Sequence, residues 1–253
     1  MNRIISTIRS LHEIMRVALI LFFYLLVLLA ATAIVGGAPG DWNYVLVNLL
    51  PLPLILFAFT TGHFAVRADG LSPITEATAT AAGVAMALIA LIDTKPGVTG
   101  TVVHLPAATL AMIAIVVSEE IILRGSLLPA FARRFGFGLA IIFSAVVFAA
   151  LHMHLGFGSA VATFFAGLAL GSLYVRSGLG PCIVFHTAFN LICGPFCGLS
   201  VGGLPWPGLL EPAFPRDPLD FLPVQLAFIA LALLWMPYRL LKVKIQWSVN
   251  SDQ

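Results

Sequence analysis

Two carboxylates and one guanidinium stand inside a stretch of the sequence that is otherwise apolar. Glu119, Glu120 and Arg124 lie within the run from Leu105 to Leu128, which contains no other charged residue. A charged group at such depth in a bilayer costs several kcal/mol on most scales. If this run crosses a membrane, its three ionisable side chains are therefore candidates for a functional site.

Helix geometry separates the two acids. Glu120 and Arg124 are four residues apart, with the acid on the N-terminal side, which is the favourable order for an ion pair on one helix face. Glu119 points about 100° away from Glu120 and has no partner within its own helix. The spacing therefore predicts that Glu120 is structural and that Glu119 is available for chemistry.

Two later segments carry polar side chains at the same spacing. Phe148 and His152 form one pair, and His186 and Asn190 form the other, so each pair shares a helix face. Together with Glu119 they supply one carboxylate, two imidazoles and one amide. A carboxylate can act as a general base toward water, and imidazole and amide N–H groups can donate to a developing oxyanion. The combination predicts a hydrolytic centre.

Two common catalytic motifs are missing from the sequence. It contains no HExxH zinc-protease helix and no glycine-rich phosphate loop. The three cysteines lack metal-ligand spacing and are interpreted as small buried residues. His154 lies about 200° from His152 around a regular helix, so we expect at most one of these two histidines to face the site.

The composition is typical of a polytopic membrane protein. Of the 253 residues, 60% are hydrophobic and 9% are charged, whereas soluble domains are about one-quarter charged. A helix needs about 20 apolar residues to cross the hydrocarbon core. The candidate spans, of which the fifth to seventh are short, are Ile14–Val35, Tyr44–Phe64, Thr75–Ile92, His104–Leu128, Leu139–His152, Ala160–Val175, Pro181–Phe196 and Phe221–Leu241. We therefore predict an all-α polytopic membrane protein with about eight transmembrane helices and a central intramembrane polar cavity.

The placement of charges predicts how these helices are oriented. With the N-terminus inside, the cytoplasmic segments hold Arg3, Arg9, Arg16, Arg67, Arg133, Arg134, Arg176, Arg239, Lys242 and Lys244. The opposite side holds only Lys95 and Arg216, so the positive-inside rule favours an N-in, C-in topology. We interpret residues 1–253 as one transmembrane domain, with a motif-bearing core at about 104–197 and a proline-rich external loop at about 198–220. The net charge of +2 and the lack of a basic patch argue against nucleic acid as a partner.

Three ordered motifs are similar to those of a known family. Residues 119–124 match the pattern EExxxR, residues 148–152 match FxxxH, and residues 186–190 match HxxxN. In this order and in an eight-helix protein, they resemble the CPBP family of CAAX proteases and bacteriocin-processing enzymes, also called the Abi family. Its eukaryotic member is the Ras-converting CAAX endopeptidase.

The resemblance implies a role for each matched residue. It implies catalytic roles for Glu119, His152, His186 and Asn190, and supporting roles for Glu120, Arg124 and Phe148. The first glutamate would activate water with the histidine of the second motif assisting, and the third motif would form an oxyanion hole. The implied activity is that of a glutamate-type intramembrane endopeptidase without a cofactor. Its substrate would be a membrane-associated peptide or lipidated protein, reached through a cavity open to the cytosol or to lipid.

Other interpretations of the same residues stay open. A zinc peptidase could use Glu119, His152 and His186, because two histidines and a glutamate form a known catalytic zinc set. A non-catalytic relative would bind a partner peptide, as in bacteriocin immunity, and the polar side chains could also serve only as interhelical hydrogen bonds. A transporter is disfavoured because paired broken helices and repeated span lengths are missing. Short loops favour a bacterial plasma membrane, with membrane lipid and the substrate as partners, and no oligomeric state is predicted.

Overall fold

The computed structural model of the protein describes residues 2–53, 55, 73–91, 96–97, 102–201, 204–206, 211–212 and 222–236. The α-helices are α1 (Asn2–Val35), α2 (Trp42–Leu49), α3 (Pro73–Leu91), α4 (Leu105–Glu120), α5 (Leu128–Phe135), α6 (Phe137–Leu151), α7 (Phe157–Ser177), α8 (Leu179–Leu191) and α9 (Leu222–Trp235). Two π-helical stretches, Ile121–Leu127 and Ile192–Phe196, follow α4 and α8. Short 3₁₀ turns occupy Val102–His104 and Met153–Leu155.

Four two-residue strands lie in the connections between helices. Strand β1 (Pro96–Gly97) pairs antiparallel with β4 (Glu211–Pro212), and β2 (Ser200–Val201) pairs antiparallel with β3 (Leu204–Pro205). Both pairings include parts of the predicted proline-rich loop, of which residues 202–203, 207–210 and 213–220 lie outside the described residues. The described parts of this loop therefore form short antiparallel strands rather than a helix.

The predicted all-α membrane architecture is confirmed. In the described ranges, the helices that are long and apolar enough to cross a membrane are His12–Val35, Ile74–Leu91, Leu105–Phe135, Phe157–Ser177 and Leu179–Phe196. Two shorter apolar helices, α6 and α9, stand where the fifth and eighth spans are predicted. Helix α2 begins the predicted second span, whose remainder lies largely outside the described residues, as does the end of the eighth. The chain is thus an integral, polytopic membrane protein.

Two of the spans predicted to be short are long enough to cross. The sixth comprises 21 residues and the seventh 18, whereas α6 has only 15. The prediction of the span limits followed apolar composition, but glycines with positive φ mark the helix boundaries. Gly156 (109°) precedes α7, and Gly178 (87°) separates α7 from α8. Because glycine adopts this backbone conformation without a steric penalty, it marks a helix boundary better than hydropathy does.

Small residues bring α6 and α7 into close contact. A Cβ atom at Gly167 would lie 2.8 Å from the Cα of Ala145, and one at Gly171 would lie 3.0 Å from Cγ2 of Ile141. Such small-residue faces let helix backbones approach one another within a membrane. This packing holds the end of α6, which carries the second motif, against the bundle.

One continuous apolar segment, Leu105–Phe135, carries the first motif. Pro129 has no N–H for the carbonyl four residues earlier, which predicts a kink near Gly125. The structure instead forms the π-helical stretch here, in which the Leu128 N–H donates to the carbonyl of Leu123. This wider turn accommodates the missing donor of Pro129 directly beside Arg124. Such π-helical insertions often occur at functional sites.

Candidate active site

A fully buried ion pair forms the base of the site. Arg124 Nη1 donates to Glu120 Oε1 at 2.9 Å, and neither side chain has any exposed surface. The Arg124 guanidinium carbon also lies 4.6 Å from the centre of the Phe148 ring, within cation–π range. The contact predicted from the four-residue spacing thus exists, and Phe148 from α6 covers its cationic side.

His186 joins this ion pair to a second helix. Its Nδ1 lies 2.8 Å from Glu120 Oε1, the same oxygen that accepts from Arg124. Because a carboxylate oxygen can only accept, Nδ1 carries the proton and donates. Glu120 therefore fixes the orientation of the His186 ring, so that Nε2 is the ring nitrogen left for other contacts.

Glu119 has a different environment from Glu120. Its side chain is 19% exposed, and its Oε2 lies 3.9 Å from His186 Nε2, which is beyond hydrogen-bond distance. In the part of the chain that the structure describes, no arginine or lysine forms an ion pair with it. The carboxylate is therefore held close to an imidazole but is not neutralised by a fixed positive charge.

The second motif lies at the end of a helix. Helix α6 ends at Leu151, and His152 Nδ1 lies 2.8 Å from the carbonyl oxygen of Phe148. This carbonyl is one of the last four of the helix, which lack a partner within it. His152 thereby caps the helix through Nδ1, and its ring meets the Phe148 ring edge to face, with centroids 4.8 Å apart.

The predicted catalytic side chains line one cavity. It has a volume of about 400 Å³, and Glu119, His152, His186 and Asn190 all contribute to its wall. Most of the remaining wall is apolar, with contributions from α4, α7, α8 and α9. Phe148 also lines the cavity, whereas the Glu120–Arg124 pair lies behind the wall and is fully buried. Four polar groups from three helices therefore meet in one largely apolar space.

The prediction that at most one of His152 and His154 faces the site is wrong. Both line the cavity, His154 at an exposed position. The prediction assumed a regular helix, but α6 ends at Leu151 and the chain continues in a 3₁₀ turn, so the 100° step does not apply. His154 Nδ1 lies 3.0 Å from the carbonyl oxygen of Leu151, which repeats the capping contact of His152.

Several wall residues could not be recognised from the sequence. Tyr24 of α1, Tyr44 and Asn48 of α2, and Trp206 of the hairpin all line the cavity. Trp206 is buried, and its Nε1 donates to the carbonyl of Val201 at 3.1 Å. Its ring meets Tyr44 edge to face at 5.9 Å. The hairpin therefore places the Trp206 indole against the cavity.

The alternative zinc set consists of Glu119, His152 and His186. In the described ranges, no group of three His, Cys, Asp or Glu side chains has an arrangement that could hold a metal ion. His186 uses Nδ1 for Glu120, which leaves only Nε2 as a possible ligand. The cysteines Cys182, Cys193 and Cys197 are free and buried, and burial raises the pKa of the Cys197 thiol.

Comparison with known proteins finds a family model that is similar to the motif-bearing segment. Residues 100–192 match the family model described as type II CAAX prenyl endopeptidase Rce1-like. The three sequence motifs resemble this same family, and the matched segment contains all three of them, from residue 119 to residue 190. No curated protein and no solved structure matches the chain.

Proposed function

We propose that the protein is a glutamate-type intramembrane endopeptidase, which hydrolyses a peptide bond near the end of a membrane-associated peptide or lipidated protein. The observation that carries the proposal is the position of Glu119. Its carboxylate lines an apolar cavity beside His152, His186 and Asn190, and it forms no ion pair with any arginine or lysine that the structure describes. The match to a CAAX endopeptidase model over residues 100–192 supports the same reaction class.

In the proposed reaction, Glu119 acts as the general base. It takes a proton from water while the water oxygen forms a bond with the carbonyl carbon of the scissile peptide. Collapse of the tetrahedral intermediate breaks the C–N bond, and the same proton passes to the leaving amine. His152, whose Nδ1 is held by the Phe148 carbonyl, offers Nε2 as a second proton acceptor beside the base.

The third motif is proposed to stabilise the oxyanion. The Asn190 amide is a permanent N–H donor, and His186 Nε2 becomes one when the ring is doubly protonated. In that state the charges of Glu119, Glu120, Arg124 and His186 sum to zero, which lowers the cost of keeping the cluster in a membrane. Proton abstraction then moves the negative charge from Glu119 to an oxygen facing two donors.

The apolar wall supports a second candidate function. A cavity of about 400 Å³ with mostly apolar lining could hold a peptide side chain or a lipid chain without any reaction. A non-catalytic relative would use it to bind a partner, as in bacteriocin immunity. Catalysis is preferred because a binding pocket for an apolar ligand has no need of a carboxylate in its wall, which is costly at this depth.

The test uses purified protein in lipid nanodiscs. The probes are a lipidated peptide with a C-terminal CAAX sequence and a panel of membrane-associated peptides, with products identified by mass spectrometry. We expect cleavage that persists in a zinc chelator, with substoichiometric metal in the protein. Loss of cleavage on chelation and its recovery with zinc would favour the zinc peptidase. Failure to cleave any probe, with biological function intact in a Glu119→Gln variant, would favour the binding protein. We further propose, from the short loops of the sequence, that this membrane is a bacterial plasma membrane.

A further inference from the structure

The wall of the cavity comes from two parts of the chain. Residues 100–192, which match the family model, supply all of the proposed catalytic side chains. Helices α1 and α2 precede this segment, and they supply three further polar side chains, Tyr24, Tyr44 and Asn48. We call these three residues the α1–α2 face. The three motifs assign no role to this face, so its polar groups need a separate explanation.

Tyr24 places a phenol in the wall at a position where a purely apolar side chain would pack as well. The residue is only 7% exposed, and it interacts electrostatically with Glu119 and Tyr44. Among the residues that the structure describes, none forms a hydrogen bond with the Tyr24 hydroxyl. The hydroxyl of a buried tyrosine usually has a hydrogen-bond partner. The partner of Tyr24 must therefore come from a molecule that enters the cavity.

Asn48 offers the complementary group. Its Nδ2 donates to the carbonyl oxygen of Tyr44 at 2.8 Å, and the residue is 6% exposed. Because a carbonyl oxygen only accepts, the amide nitrogen faces Tyr44, and Oδ1 is left as an acceptor. Tyr44 is itself held by the edge-to-face contact of its ring with Trp206. The α1–α2 face therefore supplies a hydroxyl donor at Tyr24 and an amide acceptor at Asn48.

A donor and an acceptor in an apolar wall match the chemistry of a peptide group. A peptide that leaves water for such a cavity needs partners for its carbonyl and N–H groups, because burying them unpaired costs free energy. A substrate also displaces water from the face, and only a group that replaces the lost hydrogen bonds avoids a loss of affinity. A lipid chain has no such group. The α1–α2 face therefore favours the main chain of a peptide over an alkyl chain.

We propose that the α1–α2 face binds the main chain of the substrate, with the Tyr24 hydroxyl donating to a carbonyl oxygen and Asn48 Oδ1 accepting from an N–H. Resting on the proposed function, this makes Tyr24 and Asn48 substrate-positioning residues. The peptide segment itself, and not only an attached lipid, enters the cavity beside Glu119. Because α1 and α2 lie outside the matched segment, changes in this face affect KM more than kcat.

Tyr24→Phe tests the proposal, because it removes only the hydroxyl group. The matched control is Tyr174→Phe, at a buried tyrosine of α7 that does not line the cavity. Both changes are made in full-length Glu119→Gln protein in lipid nanodiscs, so that binding is measured without cleavage. The probes are a fluorescent lipidated peptide with a C-terminal CAAX sequence, fluorescent forms of the peptides in the cleavage panel, and the same lipid without a peptide. Fluorescence anisotropy gives each Kd, and empty nanodiscs give the background from partitioning into the bilayer.

Tyr24→Phe should raise the Kd of the peptide probes about threefold to tenfold, as the loss of one hydrogen bond predicts, and leave that of the lipid unchanged. Tyr174→Phe should change neither. An unchanged Kd for every peptide in Tyr24→Phe, an equal loss for peptide and lipid probes, or no binding of any peptide would overturn the inference. The expected pattern of Kd values in a protein that cleaves nothing would refute the proposed function alone. Cleavage with an unchanged KM in a Tyr24→Phe protein that retains Glu119 would refute this inference alone.

Discussion

Glu119 and Glu120 are adjacent in the chain but belong to two different regions of the molecule. Glu120 is fully buried, and its Oε1 accepts hydrogen bonds from both Arg124 and His186. Glu119 is 19% exposed, lines the cavity and lies 3.9 Å from the nearest imidazole nitrogen. The buried cluster supplies the charge compensation that lets α4 carry acids into a membrane, while the cavity wall holds a carboxylate that no described arginine or lysine neutralises. The comparison shows that a step of one residue along a helix, about 100° around its axis, can separate a structural acid from a reactive one.

Removing Glu120 should have the largest effect on folding. Glu120→Ala leaves Arg124 buried without a counter-charge, which costs about 3–5 kcal/mol when a buried ion pair is broken. Thermal unfolding in detergent should show this loss, together with loss of cleavage because His186 loses its anchor. The control is the double variant Glu120→Leu/Arg124→Met, which removes both charges and should recover most of the stability but no activity. Full stability in the single variant would contradict the assigned role of the pair.

Asn190 tests the cavity side of the comparison. Asn190→Ala removes a donor proposed for the oxyanion, and loss of one such donor lowers kcat by about 10²–10³-fold in other hydrolases. Because the residue lies outside the buried ion pair, the unfolding temperature should change little. Asn190→Leu keeps a similar side-chain size without any hydrogen-bond donor and should be as slow as the alanine variant. An active leucine variant would show that no amide donor is needed.

The spacing of residues predicted contacts within a helix better than contacts between helices. It predicted the ion pair between Glu120 and Arg124, because residues four apart share a helix face, and it predicted that Glu119 does not take part in this pair. It missed the bond from His186 to Glu120, because spacing contains no information about which helices are neighbours. Tyr24 and Tyr44 were missed for the same reason. The positions of Trp206 and His154 depend on a hairpin and on the end of a helix, where helical periodicity no longer applies.

The two histidines of the α6 end give a smaller and sharper comparison. His152 and His154 make the same capping contact through Nδ1, but only His152 also packs against Phe148 at the centre of the site. His152→Gln should lower kcat/KM by about 10²-fold, the lower range for general acid–base groups, and His154→Gln by no more than about threefold. Steady-state kinetics of both variants check this order. Equal losses would assign the exposed histidine a share in catalysis.

The most direct test of the central claim is a matched measurement on Glu119→Gln and Glu120→Gln. Both changes remove one negative charge at constant size, so kcat/KM and the unfolding temperature can be compared on the same preparations. Glu119→Gln should lose about 10²–10⁴-fold in kcat/KM with an unchanged unfolding temperature, because it removes only the general base. Glu120→Gln should lower the unfolding temperature clearly. A folded Glu119→Gln protein that cleaves at the wild-type rate would contradict the account.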